Sequence, residues 1–256
     1  MKRIVRFGVL KIQRKYGMKM KILLKNGYIV DSRNHVEGIR DILICDKLIT
    51  KVAEQIDEPA DQVIDCIGLT VIPGICDMHV HFRDPGLTHK EDIITGTDAA
   101  AAGGITGVVT MPNTKPATDS AETVKYIIEK AEGSGVTIYP SACITKGLLG
   151  QELCDYESLK KAGATVITDD GRPVENPDML FKALQLSKEN GLLVACHCED
   201  LDIIDGGIIN KGKISEELGV KGMDRLSEDS ITERDILLCE KADAKIHICH
   251  VSTKGS

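Results

Sequence analysis

The sequence predicts an α/β protein: a (β/α)8 TIM-type barrel, incomplete at about six of its eight strands, behind a small N-terminal β-sandwich-like module. Three observations carry this. From Leu69 onward, six near-continuously apolar segments alternate with helical stretches, the pattern of a parallel sheet covered by helices. The polar residues suited to chemistry fall at or near the C-terminal ends of five of those segments, the rim on which barrel active sites are built. No glycine-rich phosphate loop marks the single crevice of a doubly wound open sheet.

The elements follow in order. The first 20 residues carry no acidic side chain and no serine, so a serine-rich transit peptide fits them poorly. Residues 1–19 are read as a disordered basic extension ahead of a later start at Met18 or Met20. Residues 20–68 are expected to form the β module. KILLKNGYIVDS is read as two short strands around a turn at Asn26-Gly27, and Ile42 to Glu54 as two more around Asp46-Lys47.

Residues 69–256 are expected to form the partial barrel. The strand VIPGICDMHVH leads to a helix near Glu91–Ala102 that stops at Gly103-Gly104. The strand Thr106–Asn113 precedes a helix with Asp119 as N-cap and Glu122 completing a capping box. Val136–Thr145 is the third strand, followed by a short helix, Tyr156–Ala162. Ala164–Asp170 is the fourth, and a helix from Asp178 to Asn190, closed by Gly191, leads into the fifth, Leu192–Cys198. Ser230 and Glu233 are read as a second capping box opening a helix to about Lys241. Lys245–Ser252 is the sixth strand. Closure needs eight strands, so the natural protein is expected to continue past Ser256.

Composition narrows the function. The 256 residues are 42% hydrophobic and 28% charged, with a net charge of −7, no tryptophan and 3% aromatics. A nucleic-acid footprint is not expected from that balance, and no apolar run approaches the roughly 20 residues that span a bilayer. Nine scattered cysteines, without the density of a secreted disulfide scaffold, suggest a reducing cytoplasm.

The chemistry concentrates in DMHVHFRDPG, Asp77 to Gly86. Strand side chains alternate, so His79, His81 and Arg83 are expected on one face. With Asp170, His197 and His250 they form a candidate binuclear zinc site, four imidazoles and one carboxylate able to bridge. Two such ions lower the pKa of water toward roughly 7 and polarise a carbonyl, which suits hydrolysis of an amide. Arg83 is placed to receive a substrate carboxylate, and Asn113 to add a neutral hydrogen bond. The strand pattern does not choose between Asp169 and Asp170. Cys196, Cys198 and Cys249 raise a thiolate alternative, but alternation turns Cys196 and Cys198 away from His197, toward packing helices. His35, His89 and His247 are read as ordinary polar residues, and Glu199-Asp200 as a solvated loop or cap.

In succession, PGICDMHVHFRDPG, GTDAAAAGGIT, VTMPNT, TDDG, ACHCED and ICHVSTKGS resemble class I dihydroorotase of the amidohydrolase superfamily, from about Met20 to Ser256. The resemblance implies a zinc enzyme of pyrimidine biosynthesis that interconverts N-carbamoyl-L-aspartate and (S)-dihydroorotate. It implies that His79 and His81 ligate one zinc ion, that His197 and His250 ligate the other, and that Asp170 bridges the two. Arg83 and Asn113 match the residues that grip the substrate carboxylate. Allantoinase- and hydantoinase-like relatives bridge their metals with a carbamylated lysine on the fourth strand. Here that strand reads Thr168-Asp169-Asp170, and the nearest lysines, Lys160 and Lys161, precede it.

There is one departure. The family's general base is an aspartate at the end of the eighth strand, expected beyond Ser256, so no catalytic residue of that kind is assigned here and the chain alone is expected to be inactive. The resemblance also admits a homodimer, or a non-catalytic scaffold associated with aspartate transcarbamoylase.

Overall fold

The computed structural model describes residues 20–256; the basic extension expected over residues 1–19 lies outside them. Contacts divide the chain into two compact units, one running to Ile75 and including Ala100–Thr106, the other comprising Cys76–Ala99 and Gly107–Ser256.

The first unit is built on five strands: β1 (Lys21–Asp31), β2 (Val36–Cys45), β3 (Leu48–Ala53), β4 (Gln62–Asp65) and β5 (Thr70–Val71). They form one mixed sheet in the order β3-β2-β1-β4, with β5 also pairing β1. Its sandwich-like character comes from cover on both faces. Leu23 and Leu43 pack with Ile56 of the following loop, while Ile22, Leu24, Ile29 and Ile42 pack with Cys66 on the other side. The expected turn at Asp46-Lys47 joins β2 to β3. The turn expected at Asn26-Gly27 is not one: β1 runs through it, with a register shift between Leu24 and Gly27. Asn26 adopts φ +60 inside this bulge, and its N–H donates to the buried Asp41 carboxylate at 2.9 Å, which also accepts from Ile56 N–H. A left-handed Asn is common to tight turns and bulges, so the dipeptide alone did not distinguish them.

The second unit carries a parallel sheet covered by helices. From Ile75 onward the elements are β6 (Ile75–Val80), α1 (Ile93–Ala102), β7 (Ile105–Thr110), α2 (Ala121–Lys130), β8 (Thr137–Ala142), α3 (Tyr156–Ala162), β9 (Val166–Ile167), α4 (Pro177–Asn190) and β10 (Leu193–Cys196). Next come α5 (Leu201–Ile204), β11 (Ile209–Asn210), α6 (Lys213–Leu218) and β12 (Gly222–Met223), an excursion the sequence did not announce. Finally α7 (Leu226–Ala242) leads into β13 (Ile246–Ile248). The sheet order is β13-β10-β9-β8-β7-β6. Each sheet strand neighbours the one before it, with no reversal of order, as in the wall of a barrel rather than a doubly wound sheet. Both faces are apolar: Ala142, Ile167, Val194 and Cys196 pack under Leu180 and Leu184, while Val109, Val166 and Ala195 line the other side.

Local chemistry sets the helix ends. Asn176 caps α4 through Asp178 and Met179 N–H, and Gly191 ends it in the left-handed region. At α2 the cap is Ser120, one residue after the expected Asp119, whose carboxylate instead accepts from Gly147 N–H. The expected capping box at Ser230 and Glu233 is absent. α7 begins a turn earlier, where Leu226 N–H donates to Asp224, and Ser230 Oγ bonds Leu226 carbonyl within the helix. The fully buried Leu184 gives a check on this core. Leu184→Ala should cost about 3 kcal/mol in urea unfolding, from lost transfer energy and a residual cavity.

Candidate metal centre

Each expected site residue sits at the C-terminal rim of the sheet. His79 lies in β6 and His81 just past its end. Asn113, Asp170, His197 and His250 follow β7, β9, β10 and β13 by two or three residues or fewer. The ligand atoms of His79, His81 and Asp170 lie within 4.8 Å of one another, and so do those of Asp170, His197 and His250. Asp170 belongs to both groups. Its oxygens stand 3.5 Å from His79 Nε2, His81 Nε2 and His197 Nδ1, and 3.7 Å from His250 Nε2. The Asp170 side chain is 4% exposed and that of His250 is 50% exposed, so the cluster has a buried floor and opens toward solvent at His250.

The structure separates the two aspartates. Asp169 turns away and accepts from Ile144 N–H, Thr145 N–H and Thr145 Oγ1, fastening the loop after β8. Asp170 faces the imidazoles.

These residues fit a divalent cation pair. Asp170 Oδ1 and His197 Nδ1 are buried without a hydrogen-bond partner although they face each other and the other rings. Unpaired buried acceptors are costly, and lone pairs directed at a common space are what a cation satisfies. Protonation leans the same way. Burial pushes the His79 imidazole below its ordinary value, against the pull of Asp170. Burial would raise the Asp170 carboxyl, but His197, His79 and His81 outweigh it and hold it down. A neutral imidazole and an ionised carboxylate are the ligand forms metals require. At His197, burial acts downward but Asp170 and Glu199 prevail and raise its pKa.

Arg83 reaches the rim by a route that alternation did not foresee. β6 ends at Val80, and Arg83 adopts φ +60 in the turn beyond. Its Nη1 donates to the Asn113 carbonyl at 3.4 Å. Phe82, between His81 and Arg83, is buried under Gly96, where an added Cβ would clash with the ring. The Asn113 side chain lies between His81 Nδ1, 3.0 Å away, and Asp170 Oδ2, to which its amide donates at 3.0 Å.

The thiolate alternative does not hold. Cys196 and Cys198 are buried in the core on the helix side of the sheet, and burial pushes Cys198 up to about 12 and Cys196 well above its ordinary value. The sequence reading missed Glu199, whose Oε2 stands 3.0 Å from His197 Nε2. Its spacing from His197 matches that of His81 from His79, but Glu199 lies past the end of β10, where alternation does not fix direction. Asp200 does act as the expected cap, for α5.

Glu228 in α7 was also missed. It accepts from Ser252 and Thr253 N–H at 2.9 and 3.2 Å and from their hydroxyls, tying down the segment just after His250. Burial would raise its carboxyl, but these donors outweigh it and bring it from 4.5 to about 2. A depressed carboxyl stabilises the fold above its unfolded value and loses that contribution as pH falls through the folded one. Glu228→Gln should therefore lower stability at neutral pH by on the order of 1–3 kcal/mol. Its urea midpoint should also fall less steeply than that of the parent chain between pH 4.5 and 2.

The sequence model of the dihydro-orotase-like family matches residues 68–256. The chain is 44% identical over 239 residues to the dihydroorotase of Geobacter sulfurreducens, covering 93% of this chain and 56% of that one. It is 45% identical over 236 residues to the dihydroorotase of Ruminiclostridium cellulolyticum, covering 92% and 55%. The chain thus spans about half the length of the curated relatives it matches. Among solved structures, the L-hydantoinase (dihydropyrimidinase) of Arthrobacter aurescens superposes with a TM-score of 0.76 at 23% identity, over 92% of this chain and 53% of that one. The D-hydantoinase of Bacillus sp. AR9 superposes at 0.71 with 26% identity, over 91% and 53%.

Proposed function

This chain belongs to the dihydroorotase-like family, and we propose that it carries the metal-binding and carboxylate-binding part of a dihydroorotase, which reversibly opens the cyclic amide of (S)-dihydroorotate to N-carbamoyl-L-aspartate in pyrimidine biosynthesis. The observation that carries this reading is the convergence of four imidazoles on one buried carboxylate, with Arg83 on the same rim.

His79 and His81 would hold one zinc ion, His197 and His250 a second, and Asp170 would join both. Zinc bound there supplies Lewis acidity, polarising an amide carbonyl and lowering the pKa of water toward roughly 7. The chain's own residues do the rest. Arg83 presents a guanidinium fork suited to two-point binding of the substrate carboxylate. Asn113 carries a further donor beside it. Asp170, held ionised, anchors the ligand set from below.

The hydantoinase-like alternative needs a lysine on the fourth strand of the barrel. Both candidate lysines are engaged elsewhere: Lys160 donates to the Gly191 carbonyl at 2.7 Å, and Lys161 pairs with Glu157. A non-catalytic scaffold beside aspartate transcarbamoylase, or a homodimer serving only assembly, would not require this ligand set. All nine cysteines are free thiols, which suits the cytoplasm we assign to the protein.

The test is binding. The purified chain should hold about two zinc ions. By ligand-observed NMR it should bind dihydroorotate and N-carbamoyl-L-aspartate in preference to allantoin, and Arg83→Leu should lose that binding. No zinc uptake, or a preference for allantoin, would overturn the reading. Because no residue here matches the family's general-base aspartate, ring opening by this chain alone should stay at background in a coupled absorbance assay.

A further inference from the structure

His197 differs from the other three imidazoles in how it meets Asp170. His79, His81 and His250 each turn Nε2 toward that carboxylate, whereas His197 turns Nδ1. A neutral imidazole has one N–H and one lone pair, and whichever nitrogen carries the proton is useless as a ligand. In isolation the ring divides itself between its two tautomers. Something must therefore hold the His197 proton on Nε2 for Nδ1 to face the centre as a lone pair. Among the described residues, the side chain against Nε2 is Glu199, with Oε2 at 3.0 Å. Its carboxylate is acceptor-only, so it admits only the tautomer with hydrogen on Nε2.

We infer that Glu199 is a positioning residue that selects the Nε2–H tautomer of His197 and so delivers Nδ1 as the inward-facing donor. His81 has a comparable partner in Asn113: that amide donates to Asp170, so its Oδ1 faces His81 Nδ1 as an acceptor and favours the opposite tautomer, with Nε2 left inward. Glu199 acts from the solvent side of the ring, with its side chain 37% exposed while that of His197 is 14% exposed. It is close enough to orient His197, and the ring separates it from the ligand atoms. His197 and Glu199 stand two residues apart just past β10, so ACHCED supplies ligand and orienter from one segment without a second element.

This inference deepens the metal-centre reading and rests on it for its purpose, but its primary measurement does not need zinc. In chain labelled with 15N-histidine, long-range 1H–15N correlation at about pH 9, where imidazoles are largely neutral, should report His197 as the Nε2–H tautomer. Glu199→Gln presents an amide that can accept or donate at Nε2, so it should weaken the preference for that tautomer, though less than an apolar side chain. Glu199→Leu should shift His197 to a mixture or to the Nδ1–H form, with His79, His81 and His250 unmoved. It should also weaken zinc binding by roughly ten- to hundredfold, the usual cost of losing such a partner. An Nδ1–H His197 in the unmodified chain, or an unchanged tautomer in Glu199→Leu, overturns the inference. Should Glu199→Leu fail to fold, the tautomer of the unmodified chain decides alone. A Glu199-dependent tautomer in a chain that takes up no zinc would leave the positioning role standing and sink the metal centre instead.

Discussion

Asp170→Asn is expected to weaken zinc binding by roughly a hundredfold at each half of the centre, while Asp169→Asn leaves the zinc content of the folded protein intact. Asp170 is the one residue common to both ligand groups, so its loss is felt twice. Asparagine keeps the size but removes the anionic charge that offsets a pair of dications. With about 10–16 kcal/mol of binding spread over four ligands in structural zinc sites, each loss corresponds to roughly a hundredfold in affinity. Metal analysis after equilibrium dialysis reads the result, and an Asp170→Asn chain that retained about two zinc ions would remove Asp170 from the centre. Asp169 serves the fold instead, through Ile144 and Thr145. Burial lifts its carboxyl from 3.8 to about 6 in spite of those donors. With the folded value above the unfolded one, its contribution to stability is full below 3.8 and declines as pH rises through about 6, the reverse of Glu228. The penalty for Asp169→Asn should accordingly be larger near about pH 4 than near about pH 7.

Lys130→Met is expected to cost about 3 kcal/mol of stability, and Asp84→Asn with Lys130→Met to recover most of it. The Asp84 side chain is fully buried and meets Lys130 Nζ at 2.6 Å, Tyr126 OH at 3.0 Å and Ile93 N–H at 3.3 Å. Hydrogen bonds from Lys130 to Asp84 and to Tyr126 raise the lysine pKa strongly. Removing the cation leaves a buried carboxylate with only neutral donors, a change that typically costs 3–5 kcal/mol, here moderated because the Lys130 side chain is 32% exposed. Neutralising the partner removes that penalty, so the two substitutions should couple strongly in a double-mutant cycle. Urea unfolding with an unchanged m-value is the measurement. A Lys130→Met chain within about 0.5 kcal/mol of the parent would show that the pair is idle. Because Asp84 follows Arg83 directly, the same variant should weaken dihydroorotate binding as the turn that presents Arg83 loosens.

Much of the fold was legible because period and punctuation are local. The helices expected at Tyr156–Ala162 and at Asp178–Asn190, the second closed by Gly191, are found as α3 and α4, and the structure adds Asp155 as the cap of α3 and starts α4 one residue earlier, at Pro177. The excursion of α5, β11, α6 and β12 was not legible, because its elements are two to six residues long and carry no period. The bulge at Asn26 was read as a turn because the choice rests with Asp41, fifteen residues away.

The amino-acid sequence by itself determined that the chemistry of this protein gathers on one rim. Alternation and apolar runs are properties of neighbouring residues, and they place His79, His81, His197 and His250 at strand ends before any fold is known. Only the tertiary structure decided which aspartate faces those histidines, that Arg83 arrives through a left-handed turn beyond β6, and that Glu199 backs His197. Past the end of a strand the backbone leaves the extended region, so alternation no longer predicts direction. A buried carboxylate, moreover, goes where its donors are, and the donors of Asp169 and Asp170 come from segments 24 to 57 residues away along the chain.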